Sequence, residues 1–247
     1  MSRTAAIVVI GNEVLSGKVR EENAAYLIGR LRELGTELKR VSVVPDEQDA
    51  IVEAVTTARR FDHVICSGGI GPTHDDITVA SVARALGVHV TRSEALVALI
   101  EAHHQSRGED GTLPAAAYRL ADVPQGARLI QHAGLWYPAI AVGEIYLLPG
   151  VPLLFRRQFE ALSDRFRDAP FFLRNLYLSA GEVSVTAALD AVVARHPQVL
   201  IGSYPRFDEG ADHRVKLTVE AREQALVDAA FSDLRATLPP GAILRED

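Results

Sequence analysis

One stretch of the sequence combines a glycine-rich turn with two adjacent carboxylates. An apolar segment leads into Gly68-Gly69-Ile70-Gly71-Pro72-Thr73-His74-Asp75-Asp76, and an amphipathic helical pattern follows. Glycine lets a ligand approach the backbone where a Cβ would block it, and a turn before a helix offers N–H groups that bind anions. Carboxylates repel phosphate unless a cation lies between them. Asp75 and Asp76 beside this turn therefore predict phosphate together with Mg²⁺ or another hard ion.

Each of these two features also has a plainer structural explanation. Gly68-Gly69 could simply form a tight turn, and an aspartate before an apolar-periodic run is often only a helix N-cap. Both features occur within nine residues, and Pro72 restricts the turn. We therefore favour a ligand site at this stretch.

Two further acidic residues follow predicted strands. Glu13 comes after the continuous apolar run 5–10, and Asp46 comes after the strand predicted at 38–44. Glu13 could be a site residue or an exposed loop carboxylate, and Asp46 could cap the next helix or join the site. The carboxyl ends of parallel strands share one edge of a sheet, so we group both residues with Asp75 and Asp76.

Strands alternate with helices over residues 1–169, which predicts an α/β domain with a doubly wound, mostly parallel sheet. An α+β pattern that resembles a small ferredoxin-like unit follows at 170–247, which we predict to be a C-terminal subdomain. The first predicted strand is not followed by G-x-G-x-x-G, so a Rossmann dinucleotide site in the usual register is not expected. Asn23 is expected to cap the helix that follows it.

Other residues offer weaker signals. Arg119 could contact an anion or lie at the surface, and Trp136 could stack on a ligand ring or pack into the protein. Gly150 lies in a second strand–turn–helix segment that could face the first turn. Arg156-Arg157 is expected on a helix and facing solvent. Cys66, the only cysteine, lies in an apolar strand and is expected to be a buried small residue.

Composition limits the classes of function. The 247 residues carry 26 Lys and Arg and 32 Asp and Glu, for a net charge of −6, which gives no support for a nucleic-acid or membrane-surface role. A single cysteine excludes an internal disulfide. The sequence has no apolar run long enough to span a bilayer and no signal-peptide pattern, so we expect a cytoplasmic protein.

The stretch from Gly68 to Asp76 resembles the signature of the molybdopterin-binding-like fold. This fold is shared by molybdenum cofactor biosynthesis proteins of the MoaB/Mog type, by the N-terminal domain of CinA and by a domain of eukaryotic FAD synthase. Gly11-Asn12-Glu13, Asn23, Pro149-Gly150-Val151-Pro152 and Ile201-Gly202-Ser203-Tyr204-Pro205 are similar to the CinA and FAD synthase branches. The resemblance covers nearly the whole chain.

The resemblance implies two kinds of activity. Proteins of the MoaB/Mog type bind molybdopterin, and some adenylylate it. The CinA and FAD synthase domains are associated with metal-dependent cleavage of a pyrophosphate in ADP-ribose or FAD. Together with the residue patterns, this gives substrate contacts at Gly68, Gly69, Ile70, Gly71, Thr73, Gly150 and Arg119, catalytic roles for Asp76 and Asp46, and a divalent ion held by Asp75, Asp76 and Glu13.

Three hypotheses follow, and we favour the first. The chain could be a metal-dependent pyrophosphohydrolase, hence an enzyme, that acts on an ADP-containing dinucleotide. It could instead bind or adenylylate molybdopterin, or be a non-catalytic regulatory module of the same fold. In each case we expect a small nucleotide or pterin ligand, and the resemblance also implies a homo-oligomer.

Overall fold

The computed structural model describes residues 2–108, 112–132, 134–208 and 210–247. The chain divides into two compact units, the first ending at Asp168 and the second spanning Ala169–Asp247. In the first unit the strands are Thr4–Ile10 (β1), Glu37–Val44 (β2), His63–Ser67 (β3), Val90–Arg92 (β4), Asp122–Pro124 (β5), Arg128–Ile130 (β6), Ala139–Val142 (β7) and Ile145–Leu148 (β8). Its α-helices are Asn12–Leu15 (α1), Asn23–Glu33 (α2), Gln48–Ala58 (α3), Thr78–Leu86 (α4), Glu94–Ser106 (α5) and Pro152–Leu162 (α6).

The main sheet of the first unit has the strand order β2-β1-β3-β8-β7-β6. β2, β1, β3 and β8 run parallel. β7 pairs antiparallel with β8 and β6 pairs antiparallel with β7, so only β7 runs opposite to the other strands and the predicted mostly parallel α/β fold is confirmed. In the register, Ile10 pairs with Val44 and Ser67 pairs with Leu148. The segments that follow these four strand ends therefore leave the sheet at its carboxyl edge.

Helices cover both faces of this sheet, which explains the continuous apolar run in β1. Ala6, Val8 and Ile10 belong to one core with α3, α4 and α5, whereas the alternate residues of β1 belong to a second core with α2 and α6. A strand residue covered in this way has no solvent-facing side, so no polar alternation appears in the sequence. Complete burial of one Val or Ile side chain contributes about 1.5–3 kcal/mol.

Short elements of the first unit depart from a simple alternation of strand and helix. Gly143, with a φ of +57°, lies in the tight connection between β7 and β8, and this hairpin makes the pair antiparallel. β4 and β5 form a separate two-stranded ribbon. The four-residue helix α1, which follows β1 directly, was not predicted from the sequence.

The second unit consists of an antiparallel sheet and two helices. Its strands are Phe172–Leu178 (β9), Leu200–Pro205 (β10), Val215–Ala221 (β11) and Ile243–Glu246 (β12), and its helices are Glu182–Arg195 (α7) and Gln224–Thr237 (α8). The strand order is β10-β11-β9-β12, and alternate residues of β11 are buried in a core with both helices. The expected α+β character is thus confirmed, although β12 was not predicted.

Among the helices in the described ranges, none combines the length and the apolar character that crossing a bilayer would require.

Candidate functional site

A cavity of about 590 Å³ lies at the carboxyl edge of the main sheet. Its wall includes the turn after β3, at 68–71, and the turn after β8, at 149–152. Glu13 and Asp76 contribute carboxylates, and Trp136 contributes an aromatic surface. A volume of this size is ordinary for a small-molecule site, and the end of parallel strands is where such sites form in this class of fold.

The turn after β3 requires glycine for steric reasons. Gly68 and Gly69 have φ values of +101° and +65°, in the left-handed region that favours glycine. A Cβ on Gly68 would lie 2.3 Å from the carbonyl oxygen of Ile10, and one on Gly69 would lie 2.3 Å from Thr78 Oγ1. Thr78 Oγ1 donates to the Gly68 carbonyl at 2.8 Å, which ties the turn to the first residue of α4.

Two amide groups of this turn are available to a ligand. Gly68 N–H donates to the carbonyl of Leu148, and Gly71 N–H donates to Asp76. In the part of the chain that the structure describes, the N–H groups of Gly69 and Ile70 have no hydrogen-bond partner. Both residues line the cavity, so these two groups can donate to an anion there.

Asn23 holds the two turns together. Its Nδ2 donates to Ser67 Oγ at 2.9 Å and to the carbonyl oxygen of Gly150 at 2.8 Å. A Cβ on Gly150 would lie only 3.4 Å from Gly68 Cα, so the turns approach each other closely. The expected capping role of Asn23 is wrong, because the carboxylate of Glu21 accepts the first N–H groups of α2. Asn23 instead sets the spacing of the two turns.

Asp76 shapes the turn from within. Its Oδ1 accepts from the N–H of Gly71 at 2.7 Å, and its Oδ2 accepts from the N–H of Thr73 at 2.8 Å. A Cβ on Gly71 would lie 2.6 Å from Asp76 Oδ2, so this arrangement also depends on glycine. Asp76 lines the cavity as predicted, but both of its oxygens already serve the backbone.

Asp75 and Thr73 lie outside the cavity wall. The Thr73 hydroxyl lies against the carboxylates of both Asp75 and Asp76, and Asp75 is exposed. The hydrogen bond from the Thr73 hydroxyl, followed by a backbone N–H hydrogen bond and then by the neighbouring His74, holds the pKa of Asp75 below its usual value. In this structure these side chains interact with each other and with the turn, and the substrate contact by Thr73 and the metal contact by Asp75 stay predictions.

Asp46 and Arg119 also form hydrogen bonds with the backbone of neighbouring segments. Asp46 Oδ2 accepts from the backbone N–H of Asn12 at 2.7 Å, so it fixes the start of α1. Arg119 Nη1 donates to the carbonyl oxygen of Pro72 at 3.2 Å and supports the glycine turn from outside. The catalytic role of Asp46 and the anion contact of Arg119 therefore stay predictions, with neither residue in the cavity wall.

Glu13 is the available carboxylate of the cavity. Its side chain lies against Gly11, where a Cβ would be 2.4 Å from Oε1, so only glycine permits this placement. No hydrogen bond or ion pair engages the Glu13 carboxylate within the described ranges. The four acidic residues grouped from the sequence therefore separate into one free carboxylate and three that hold backbone or hydroxyl groups.

The predicted convergence of several acidic side chains on one cation is wrong as a preformed cluster. Among residues 2–108, 112–132, 134–208 and 210–247, no three His, Cys, Asp or Glu side chains are grouped so that they could hold a metal ion. Only Glu13 and Asp76 share the cavity. The divalent ion itself stays a prediction.

Residues from α6 and from the segment before β7 complete the cavity, and the sequence reasoning underestimated them. Arg157 is exposed, as expected, and it also lines the cavity, where it has no ion-pair partner among the described residues. Gln158 is buried, and its Nε2 donates to the carbonyl oxygen of Tyr137 at 3.1 Å. The spacing of Leu154, Arg157 and Gln158 on the helix that starts at the second turn was a usable signal, since these positions share one face.

Cys66 lies in β3 and is completely buried, as expected. Burial raises the pKa of its thiol to about 12. A thiol with this pKa is protonated at neutral pH, so Cys66 is a packing residue and not a nucleophile.

Comparison with known proteins agrees with this architecture. Residues 6–168 match the family described as a probable molybdopterin binding domain, and residues 170–247 match the middle domain of FAD synthase. A protein of Archaeoglobus fulgidus is 30% identical over 230 residues, which cover 90% of this chain and 97% of that protein. A probable FAD synthase of Caenorhabditis elegans is 30% identical over 261 residues, covering 96% of this chain and 50% of that protein.

A crystal structure of the protein CinA of unknown function from Thermoplasma acidophilum superposes with a TM-score of 0.60 and 30% identity, covering 67% of this chain and 98% of that one. The chain spans about half the length of the FAD synthase relative. These matches confirm the resemblance based on the glycine turn. The chain belongs to the family of probable molybdopterin binding domains, in a form that is followed by a unit of the FAD synthase middle-domain type.

Proposed function

We propose that the cavity binds the diphosphate of an ADP-containing dinucleotide, of the ADP-ribose or FAD type, and that the protein hydrolyses it with the help of a divalent ion. One observation carries this proposal. Two unpartnered backbone N–H groups, at Gly69 and Ile70, line the same cavity as the unpartnered carboxylate of Glu13. The two N–H groups can donate to phosphate oxygens. The Glu13 carboxylate can bind a hard cation that lies between it and those oxygens.

The side chains fit an ion that arrives with the substrate. Mg²⁺ commonly takes one or two protein carboxylates and fills its remaining positions with water and substrate phosphates. Glu13 would hold such an ion, with Asp76 as the second carboxylate of the cavity. When bound, the ion would neutralise charge on the diphosphate and lower the pKa of a water molecule.

Charge balance also supports the requirement for a cation. The charged side chains of the cavity wall are Glu13, Asp76 and Arg157, which together carry a net charge of −1 at neutral pH. A diphosphate diester adds two negative charges, so binding without a cation would bring like charges together. Arg157, an exposed guanidinium with no ion-pair partner among the described residues, can offset part of this charge by contacting a phosphate oxygen.

The proposed reaction is an attack by water on one phosphorus atom of the diphosphate. A new P–O bond forms from water, the bridging P–O bond breaks, and the protons of water leave to solvent. ADP-ribose would give AMP and ribose 5-phosphate, and FAD would give AMP and FMN. The protein contributes mainly position and charge. The N–H groups of Gly69 and Ile70 orient the phosphates, and Asp76 holds the adjoining part of the turn through the N–H groups of Gly71 and Thr73.

A second candidate is binding of a molybdopterin-type ligand, which the description of the matching family favours. Such a ligand also carries a phosphate and a planar ring, so the same cavity could accept it. In that case the chain would bind or adenylylate a pterin without hydrolysing dinucleotides.

The test is product analysis on purified protein. ADP-ribose and FAD are incubated separately with Mg²⁺, Mn²⁺ or Co²⁺, and AMP is measured by chromatography, with EDTA and a Glu13→Gln variant as controls. The proposal expects AMP from at least one substrate, and its loss in both controls. Co-purified pterin fluorescence without AMP would favour the second candidate, whereas neither signal would favour a non-catalytic module. The homo-oligomer implied by the resemblance stays a prediction.

A further inference from the structure

The cavity contains an aromatic surface that phosphate binding does not explain. Trp136 is the only tryptophan of the chain, and it lines the cavity with 41% of its surface exposed. The ring of His103, on α5, stacks on the indole with centroids 4.0 Å apart and an interplanar angle of 6°. His103 itself does not line the cavity. The indole therefore meets the cavity with its opposite face or its edge.

Ring contacts with His103 and Tyr137 support the indole, and Tyr137 is itself held by hydrogen bonds. The Tyr137 hydroxyl donates to the carbonyl oxygen of Leu120 at 2.6 Å, and the Tyr137 carbonyl accepts from buried Gln158. Burial raises the pKa of Tyr137, so its hydroxyl keeps this proton across the physiological range. The Tyr137 ring is tilted by 60° against the indole at 5.4 Å. A platform that is already ordered loses little entropy when a ligand stacks on it.

Apolar side chains join Trp136 in the cavity wall. Leu120, Leu135 and Leu154 line the cavity together with it, and the charged and amide side chains of the wall are Glu13, Asp76, Arg157 and Gln158. A sugar phosphate alone would leave the indole and these leucines in contact with water. Exposed apolar surface in a concave site usually marks the part of the site that contacts an apolar or aromatic ligand group.

We propose that Trp136, backed by His103, is the platform on which a planar fused heteroaromatic ring of the ligand stacks, while the ligand's phosphates lie at the glycine turn. This inference rests on the proposed function and adds a specificity-determining residue to it. Adenine and the isoalloxazine ring both have the required planar π face, and separate titrations with AMP and FMN distinguish these two rings.

Because Trp136 is the only tryptophan, its intrinsic fluorescence reports directly on this platform. AMP, FMN and ribose 5-phosphate are titrated separately in the presence of Mg²⁺, and free tryptophan amide corrects for light absorbed by the flavin. We expect saturable quenching by AMP, by FMN or by both, and none by ribose 5-phosphate. Quenching by AMP alone identifies an adenine platform, and quenching by FMN alone identifies a flavin platform.

Calorimetry on variants provides the second readout. Trp136→Ala should weaken binding of the quenching ligand by about tenfold or more, the usual effect of removing a stacking aromatic. Trp136→Phe should retain most of the affinity because it keeps an aromatic face, and inorganic pyrophosphate should bind both variants as it binds the unmodified protein. The Phe variant also guards against misfolding of the Ala variant.

Two results would overturn the platform. One is absence of quenching by both AMP and FMN, and the other is an unchanged affinity of Trp136→Ala for the ring-bearing ligand. Both are independent of turnover. Quenching without AMP release would support the platform and reject the hydrolase activity. AMP release without quenching would support the hydrolase activity and reject the platform.

Discussion

Replacement of Asp76 by asparagine should destabilise the first unit, because Asp76 holds the glycine turn through two backbone hydrogen bonds. Its two carboxylate oxygens accept from the N–H groups of Gly71 and Thr73 at 2.7 and 2.8 Å. An asparagine side chain of the same shape has one acceptor oxygen and one NH₂ group. One of the two N–H groups would therefore face another donor, whichever way the amide is turned.

The expected decrease in the free energy of unfolding follows from the loss of one charge-assisted hydrogen bond. Such a bond contributes about 1.5–3 kcal/mol, and the partial exposure of Asp76 places the cost near the lower end, at about 2 kcal/mol. For a chain of this size, 1 kcal/mol shifts the melting temperature by about 2–4 °C, so a decrease of about 4–8 °C is expected.

Urea unfolding monitored by Trp136 fluorescence is the suitable assay, because the only tryptophan lies in the first unit and reports on that unit alone. Asp75→Asn is the matched control. Asp75 is exposed and contacts the Thr73 side chain, so its replacement should change the unfolding free energy by less than about 0.5 kcal/mol. An Asp76→Asn midpoint equal to that of the unmodified protein would refute the assigned role of this carboxylate.

Three other outcomes are expected. Gly87→Ala should lower the free energy of unfolding by about 1–2 kcal/mol, because Gly87 is left-handed but lies in open space. Gly68→Ala should lower it by at least about 1 kcal/mol more, because the added Cβ would also meet a backbone carbonyl. Equal denaturation midpoints of the two variants would contradict this. Cys66 should resist thiol reagents in the native protein and react in urea, which mass spectrometry can check, and rapid native labelling would contradict its burial. Arg157→Gln should weaken nucleotide binding about fivefold in calorimetry. Arg156 does not line the main cavity, so Arg156→Gln should leave nucleotide binding unchanged. Equal effects of the two substitutions would show that Arg157 is not part of the site.

The sequence was informative about the scaffold because local patterns determine it. The continuous apolar run in β1 predicted a strand covered on both faces, and the glycines at 68–71 predicted a turn that a ligand can approach. Because parallel strands end at one edge of the sheet, the turn containing Gly150 was expected to face the first turn, and the structure confirms that the two turns lie side by side. These features depend on residue type and spacing within a few positions.

The direction of individual side chains was not predictable in the same way. Asp46 turns to the backbone N–H of Asn12, which is 34 residues away, and this partner exists only after β1 and β2 pair. Glu13 stays free because Gly11 lets its carboxylate lie against the backbone. Trp136 reaches the cavity through the packing of distant elements, so no local pattern distinguished it from a surface residue, whereas Arg157 shares a helix face with other cavity residues.

A crystal structure with ADP and Mg²⁺ would test the central claim most directly, which is that the two glycine turns form a diphosphate site. The account predicts phosphate oxygens within hydrogen-bond distance of the N–H groups of Gly69 and Ile70, with the cation between the phosphates and Glu13. Phosphates bound elsewhere, or a cavity without nucleotide at saturating concentration, would contradict it.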